Sequence, residues 1–179
     1  SIGIECLLTD DPNRAMETAR RLDSLNKERR QIEQSMQEQA LVHLDSAVPE
    51  GELPFGLCLF QPAWHQGVIG ILAARIRERF HRPVIAFAEG EQAGTIKGSA
   101  RSVPNLHIRD TLDAVATRYP GLLEKFGGHA MAAGLSLRTT DFEAFSHAFD
   151  QEVRRRLDEQ DLAGTIHTDG ELEIGDYSL

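Results

Sequence analysis

The segment Lys97-Gly98-Ser99-Ala100-Arg101-Ser102 combines residue types that can hold a phosphate. Arg101 offers a planar, two-pronged donor, Ser99 a hydroxyl, and Gly98 lets a backbone come close. In a strand, Ser99 and Arg101 would point to the same face. An edge strand with solvated polar residues would carry a similar pattern. A second group, Gly127-Gly128-His129-Ala130-Met131-Ala132-Ala133-Gly134, surrounds one histidine with small residues. Such a stretch lets the chain pass close to a ligand and present N–H groups to oxyanions, or it is a glycine turn feeding a strand. Trp64-His65-Gln66-Gly67 lies between a strand pattern and a helix pattern. There, helix N–H groups could seat an anion, and His65 could equally be a capping residue.

Arg29 is the fourth candidate. It occupies a seam position among Leu22, Leu25, Ile32 and Met36 of a long helical pattern. A guanidinium there must snorkel outward, pair with Glu33 one turn on, or face a cavity holding an anion.

Other chemistries fit poorly. The glycine-rich segment lacks the lysine and Ser/Thr spacing of a Walker loop, and no GxSxG nucleophile elbow is present. A metal site would have to draw on His65, His107 and His129, without HxxxH, CxxC or Asp–His spacing to support it. The residues point to binding of a phosphorylated ligand more than to bond cleavage.

The elements that would position these groups alternate. Residues 1–9 are expected as a buried strand or extended segment, and Asp10-Asp11-Pro12 as the start of a helix running to about Leu44, halted before Pro49 and Gly51. Strands are expected in FGLCLFQ, PVIAFAE, GTIKGSARS and LSLR. Helices are expected over Gly67–Phe80, His107–Arg118 and, capped by Asp141, to about Leu157. Strands alternating with helices imply an α/β domain with a mixed sheet, preceded by a long connecting helix.

The net charge of −9 opposes a broad DNA-coating surface. Residues 61–109, however, hold seven Lys/Arg against three Asp/Glu, the remainder twelve against twenty-five. A confined phosphate site fits that distribution better. Cys6 and Cys58 are expected as buried free thiols, as in a reducing cytoplasm. No apolar run approaches the ~20 residues of a membrane span, and the start at Ser1 reads like the middle of a longer chain.

Taken in order, WHQGVIGILAARIRERFHRPVIAFA, KGSARS and FGGHAMAAGLSL resemble the DHHA1 domain of RecJ-type exonucleases in the DHH/DHHA1 phosphoesterase superfamily. The resemblance divides the chain into the end of a DHH domain (1–10), a connecting helix (11–46), a DHHA1 domain (54–158), and a linker or the start of an OB-like domain (159–179). It implies a processive 5′-to-3′ exonuclease on single-stranded DNA, active in recombination and repair, with single-strand-binding protein or a helicase as possible partners. It implies Mn²⁺ or Mg²⁺ held by Asp and His residues of the DHH domain, whose motifs this sequence lacks, so no metal ligand and no catalytic residue is assigned. It further implies a 5′-phosphate pocket built from Ser99, Arg101 and a connecting-helix arginine, Arg29, with Arg30 as the alternative. Gly127, Gly128 and His129 would line the substrate path, with His65 beside it. A small-nucleotide or cyclic-dinucleotide phosphodiesterase and an RNA-binding accessory domain remain the alternatives.

Overall fold

The computed structural model describes residues 2–47, 53–164 and 170. Two helices lead: α1 (Ile2–Leu8) and the 36-residue α2 (Pro12–Ala47). Asp11 starts α2 as expected, its Oδ1 accepting from the Asn13 N–H at 2.9 Å. The expected stop at Pro49 and Gly51 lies outside the described residues, as does most of the tail beyond 164.

A five-stranded sheet follows, made of β1 (Leu57–Phe60), β2 (Val84–Glu89), β3 (Thr95–Arg101), β4 (Lys125–Gly128) and β5 (Ala132–Arg138). Its order is β1-β2-β3-β5-β4, with β1 and β2 parallel and every other pair antiparallel. The parallel pair needs a crossover, and α3 (Ile69–Phe80) supplies it. The helices α4 (Ile108–Arg118) and α5 (Phe142–Arg154) complete the domain. The mixed sheet flanked by helices and preceded by a long helix is the architecture expected from the sequence.

Each face of the sheet has its own core. Ile85, Phe87, Ile96, Ala100, Leu135 and Leu137 pack with α4 and α5. Leu57, Leu59, Val84, Ala86 and Ala88 pack on the other face with Ile69, Leu72, Ala73 and Ile76 of α3. The latter four residues are the apolar helix face visible in the sequence. Met36, Ala40 and Leu44 of α2 join this second core, and buried Trp64 donates from Nε1 to Gln39 Oε1 at 3.0 Å. The long helix is thereby fastened to the turn before α3.

Three local expectations need correction. Residues 2–8 are a helix, not a buried strand: Leu7 and Leu8 are exposed, and Glu5 pairs with Arg14 of α2. The apolar run alone could not separate the two forms. The glycine-rich segment is not a loop before a strand but a hairpin, with Phe126–Gly128 in β4 and Ala132–Gly134 in β5. Asp141 precedes α5 without a side-chain cap, because its carboxylate takes Arg138 Nε at 2.7 Å instead. Both cysteines are free and half-buried, and burial pushes the Cys58 thiol far above its usual range.

Candidate functional site

Strand alternation sorts β3 into two rows. Ile96, Gly98 and Ala100 are buried, while Lys97, Ser99 and Arg101 are half-buried on the opposite face. The registers extend that second face across the sheet. Ala88, Ala86 and Val84 of β2 stand opposite Lys97, Ser99 and Arg101; Ser136, Gly134 and Ala132 of β5 stand on the other side. Lys125 and Gly127 of β4 continue the rows through Ser136 and Gly134.

Helix α3 covers only the β1–β2–β3 part of this face. Among the described residues, the β5–β4 part of this face is open, with Gly127 and Gly134 exposed. A methyl group built on Gly127 would meet nothing within 4 Å, and one on Gly134 would meet only Gly98 O at 4.0 Å. The result is a bare floor of Ala132, Gly134 and Gly127, bordered by the polar row of β3 and the start of α3. With nothing larger than the Ala132 methyl on that floor, a ligand can come close to the backbone itself.

At the border, Arg101 folds back along its own strand. Its Nη1 donates to Ser99 Oγ at 3.2 Å and to the Ala100 carbonyl at 2.9 Å. The guanidinium lies against Gly70 in the first turn of α3, as does the Ser99 hydroxyl. A cation, a hydroxyl and the amide-bearing end of a helix thus meet at one point, a combination suited to an anion. Beside them Lys97 pairs with Glu91 at 2.6 Å, and this bond holds the Glu91 carboxyl below its usual range.

Arg29 approaches α3 from another side. Its Nε and Nη2 donate to Asn26 Oδ1 at 3.2 and 2.9 Å, and its Nη1 pairs with Glu33 at 3.3 Å. Glu33 also accepts from Arg75 of α3 at 3.5 Å. Glu78 first, and Glu33 second, hold the Arg75 guanidinium above its usual value. Arg29, Arg30, Glu33, Ile71 and Arg75 line a groove of about 450 Å³ between α2 and α3. Of the sequence alternatives for Arg29, the pairing with Glu33 is the one seen, and the residue also borders this groove. Its contacts are with Asn26 and Glu33 rather than with Ser99 or Arg101, and Ile71 of its groove follows Gly70 in the chain.

The remaining residues divide between the two ends of the sheet. Gly127 lies in one row with Gly134 and Ser99. Gly128 belongs to the opposite-facing row with Ala133 and Ala100. His129 sits exposed in the β4–β5 turn, its N–H donating to Ala132 O at 2.8 Å, beyond the Arg101 end of β3. His65 is exposed at the far end, where the next residue, Gln66, donates to the Glu89 carbonyl at 2.5 Å. His65 Nδ1 accepts from the Gly67 N–H at 3.1 Å, a bond within the turn before α3, whose N-cap is Val68 without a side-chain cap.

Sequence reasoning placed Lys97 and Gly134 within its candidate segments without assigning them to the site, and it passed over Gly70 and Lys125. The period of two in TIKGSAR would have delivered Lys97. Gly70 carries no local signal, since its meaning comes from β3 crossing beneath it. Among the described residues, no three or more His, Cys, Asp or Glu gather where they could hold a metal ion. The Mn²⁺ or Mg²⁺ that the resemblance implies therefore finds no fitting donor set here, and no step is drawn through it.

The comparisons converge on one family. The DHHA1 domain family matches residues 54–155. Along its whole length the chain is 48% identical to the single-stranded-DNA-specific exonuclease RecJ of Haemophilus influenzae, covering 31% of that protein. The crystal structure of RecJ in complex with Mg²⁺ from Thermus thermophilus superposes with a TM-score of 0.73 at 32% identity, over 86% of this chain and 22% of that one. The structure of exonuclease RecJ bound to manganese gives 0.69 at 30% identity, over 90% and 39%. The chain spans about a third of the length of the RecJ of Haemophilus influenzae. It belongs to the DHHA1 domain family, and the stretch it matches is the DHHA1-bearing part of RecJ exonucleases.

Proposed function

We propose that this chain is the substrate-binding part of a cytoplasmic 5′-to-3′ single-stranded-DNA exonuclease of recombination and repair, and that it grips the DNA 5′ end without cutting it. The observation that carries the reading is the meeting of Arg101, Ser99 and the first turn of α3 beside a sheet floor of glycine and alanine. A terminal phosphate is small, doubly charged and rich in acceptors, so it suits that corner. The strand behind it would run over Gly134 and Gly127 toward His129, with Arg29 approaching from the connecting helix. Gly128 would shape the hairpin and His65 the entry to α3. Residues 1–10, 11–46, 54–158 and 159–179 then serve as the end of a DHH domain, a connecting helix, the DHHA1 domain and the entry to an OB-like domain. Mn²⁺- or Mg²⁺-dependent hydrolysis would come from residues outside this chain. Single-strand-binding protein or a helicase would act as partner of the whole enzyme.

Replacing Arg101 tests the grip. In Arg101→Ala, affinity for a 5′-phosphorylated oligonucleotide is expected to drop roughly 10- to 100-fold, the value of a charge-assisted hydrogen bond. Affinity for the 5′-hydroxyl form should change little. Equal loss for both forms, read by fluorescence anisotropy, would refute the pocket.

The net charge of −9 sharpens a second expectation. A confined site neutralises few phosphates, so log K against log salt should slope about −2 rather than −5 or steeper, at about −0.7 per phosphate contacted. A steep slope would replace the pocket by an extended basic track.

A further inference from the structure

We infer that Gly70 is a positioning residue of the phosphate corner, acting through Arg101. The inference rests on the phosphate reading above and deepens it. A Cβ at position 70 would stand 2.9 Å from Arg101 Nη2 and 3.1 Å from Ser99 Oγ, with Arg101 Cζ at 3.7 Å. The nearest of these atoms is the far end of a flexible side chain, so the collision is relieved by moving the guanidinium and not the backbone. Gly70 is the second residue of α3, where a bare Cα leaves the space that the Arg101 fork occupies. The Arg101 fork and the Ser99 hydroxyl therefore lie beside a residue that makes room for them by its lack of a side chain. The hydrogen bonds of Arg101 run to Ser99 Oγ and the Ala100 carbonyl, both on its own strand. Neither would hold it in place against a methyl group pushing from the helix.

A structural glycine would show itself differently. Gly70 sits in a helix, and its φ is not positive. Alanine is the better helix former there, and the fold should tolerate or favour it. Gly70→Ala thus separates positioning from stability, because the two expected effects do not run together.

The test uses this chain, Gly70→Ala, Arg101→Lys, the double variant and Arg101→Ala, each titrated with one oligonucleotide in 5′-phosphorylated and 5′-hydroxyl forms. Gly70→Ala is expected to lower the ratio of the two affinities roughly tenfold, with Tm unchanged or raised. In Arg101→Lys, which keeps a charge but loses the fork over Gly70, adding Gly70→Ala should change the ratio less than about twofold. Equal loss in both backgrounds overturns action through Arg101. A fall in Tm of more than about 3 °C also overturns it, because the strain would then sit in the fold and not in the guanidinium. An unchanged ratio in Gly70→Ala alongside a lost preference in Arg101→Ala overturns the role of Gly70 and leaves the phosphate pocket standing. An unchanged ratio in Arg101→Ala itself refutes the pocket, and the role of Gly70 with it.

Discussion

Phe145→Ala is expected to destabilise the domain by about 3–5 kcal/mol and to lower Tm on the order of 10 °C. Phe145 is fully buried in α5. Its ring meets Phe87 of β2 edge-on at 5.8 Å and stacks with Phe149 at 6.1 Å. Phe87 in turn meets Phe142 edge-on at 5.6 Å, and Phe142 meets Phe60 of β1 at 5.7 Å. Removing the Phe145 ring deletes apolar burial and leaves a void that its two aromatic neighbours, Phe87 and Phe149, cannot collapse into without losing their own contacts. The consequence reaches the candidate site. Ile96 and Ala100 of β3 belong to this same core, and they alternate with Ser99 and Arg101 on the other face. A loosened layer behind β3 should weaken binding of a 5′-phosphorylated strand as well as stability. Urea unfolding would measure the first effect. A loss under about 1 kcal/mol would show that the aromatic layer does not hold this core together.

How much of this is legible in the sequence depends on the range of the interaction involved. The apolar face of α3 and the common facing of Ser99 and Arg101 follow from local periods, and the structure repeats both. The pairing of Arg29 with Glu33 is an i,i+4 relation, equally local. Residues 2–8 defeat a sequence reading because so short a mostly apolar stretch carries too little period to separate helix from strand. The hairpin in the glycine-rich segment escapes it because the glycines serve as strand residues, and the strand that Gly134 pairs with comes from distant sequence. Gly127 faces Gly134, and Gly134 faces Ser99. The contact of Gly70 with Arg101 joins α3 to β3 thirty-one positions away, a fact of packing that no spacing rule contains.

The neighbouring glycines of β4 should respond in opposite ways, and the contrast tests whether the bare floor has a purpose. Gly128 has a φ of +151°, and a Cβ there would stand 2.4 Å from Ala132 O and 2.5 Å from Ala133 Cα. Both are backbone atoms of the paired strand, so nothing flexible can yield. Gly128→Ala is expected to cost about 3 kcal/mol or more, through strain and overpacking, and to loosen β4 from β5. Gly127 is exposed on the opposite face, with 4 Å of open space around any added Cβ. Gly127→Val should change stability by no more than about 0.5 kcal/mol, since a branched residue suits a strand and meets no obstacle. Yet its side chain would rise from the floor in the row that holds Gly134 and Ser99. Single-stranded DNA should then bind on the order of tenfold more weakly, in 5′-phosphorylated and 5′-hydroxyl forms alike, because the obstruction lies in the path and not at the phosphate. Native affinity in a well-folded Gly127→Val variant would mean that the strand takes another route. Selective loss of the phosphorylated form would instead move the terminal phosphate from the α3 corner onto the hairpin floor.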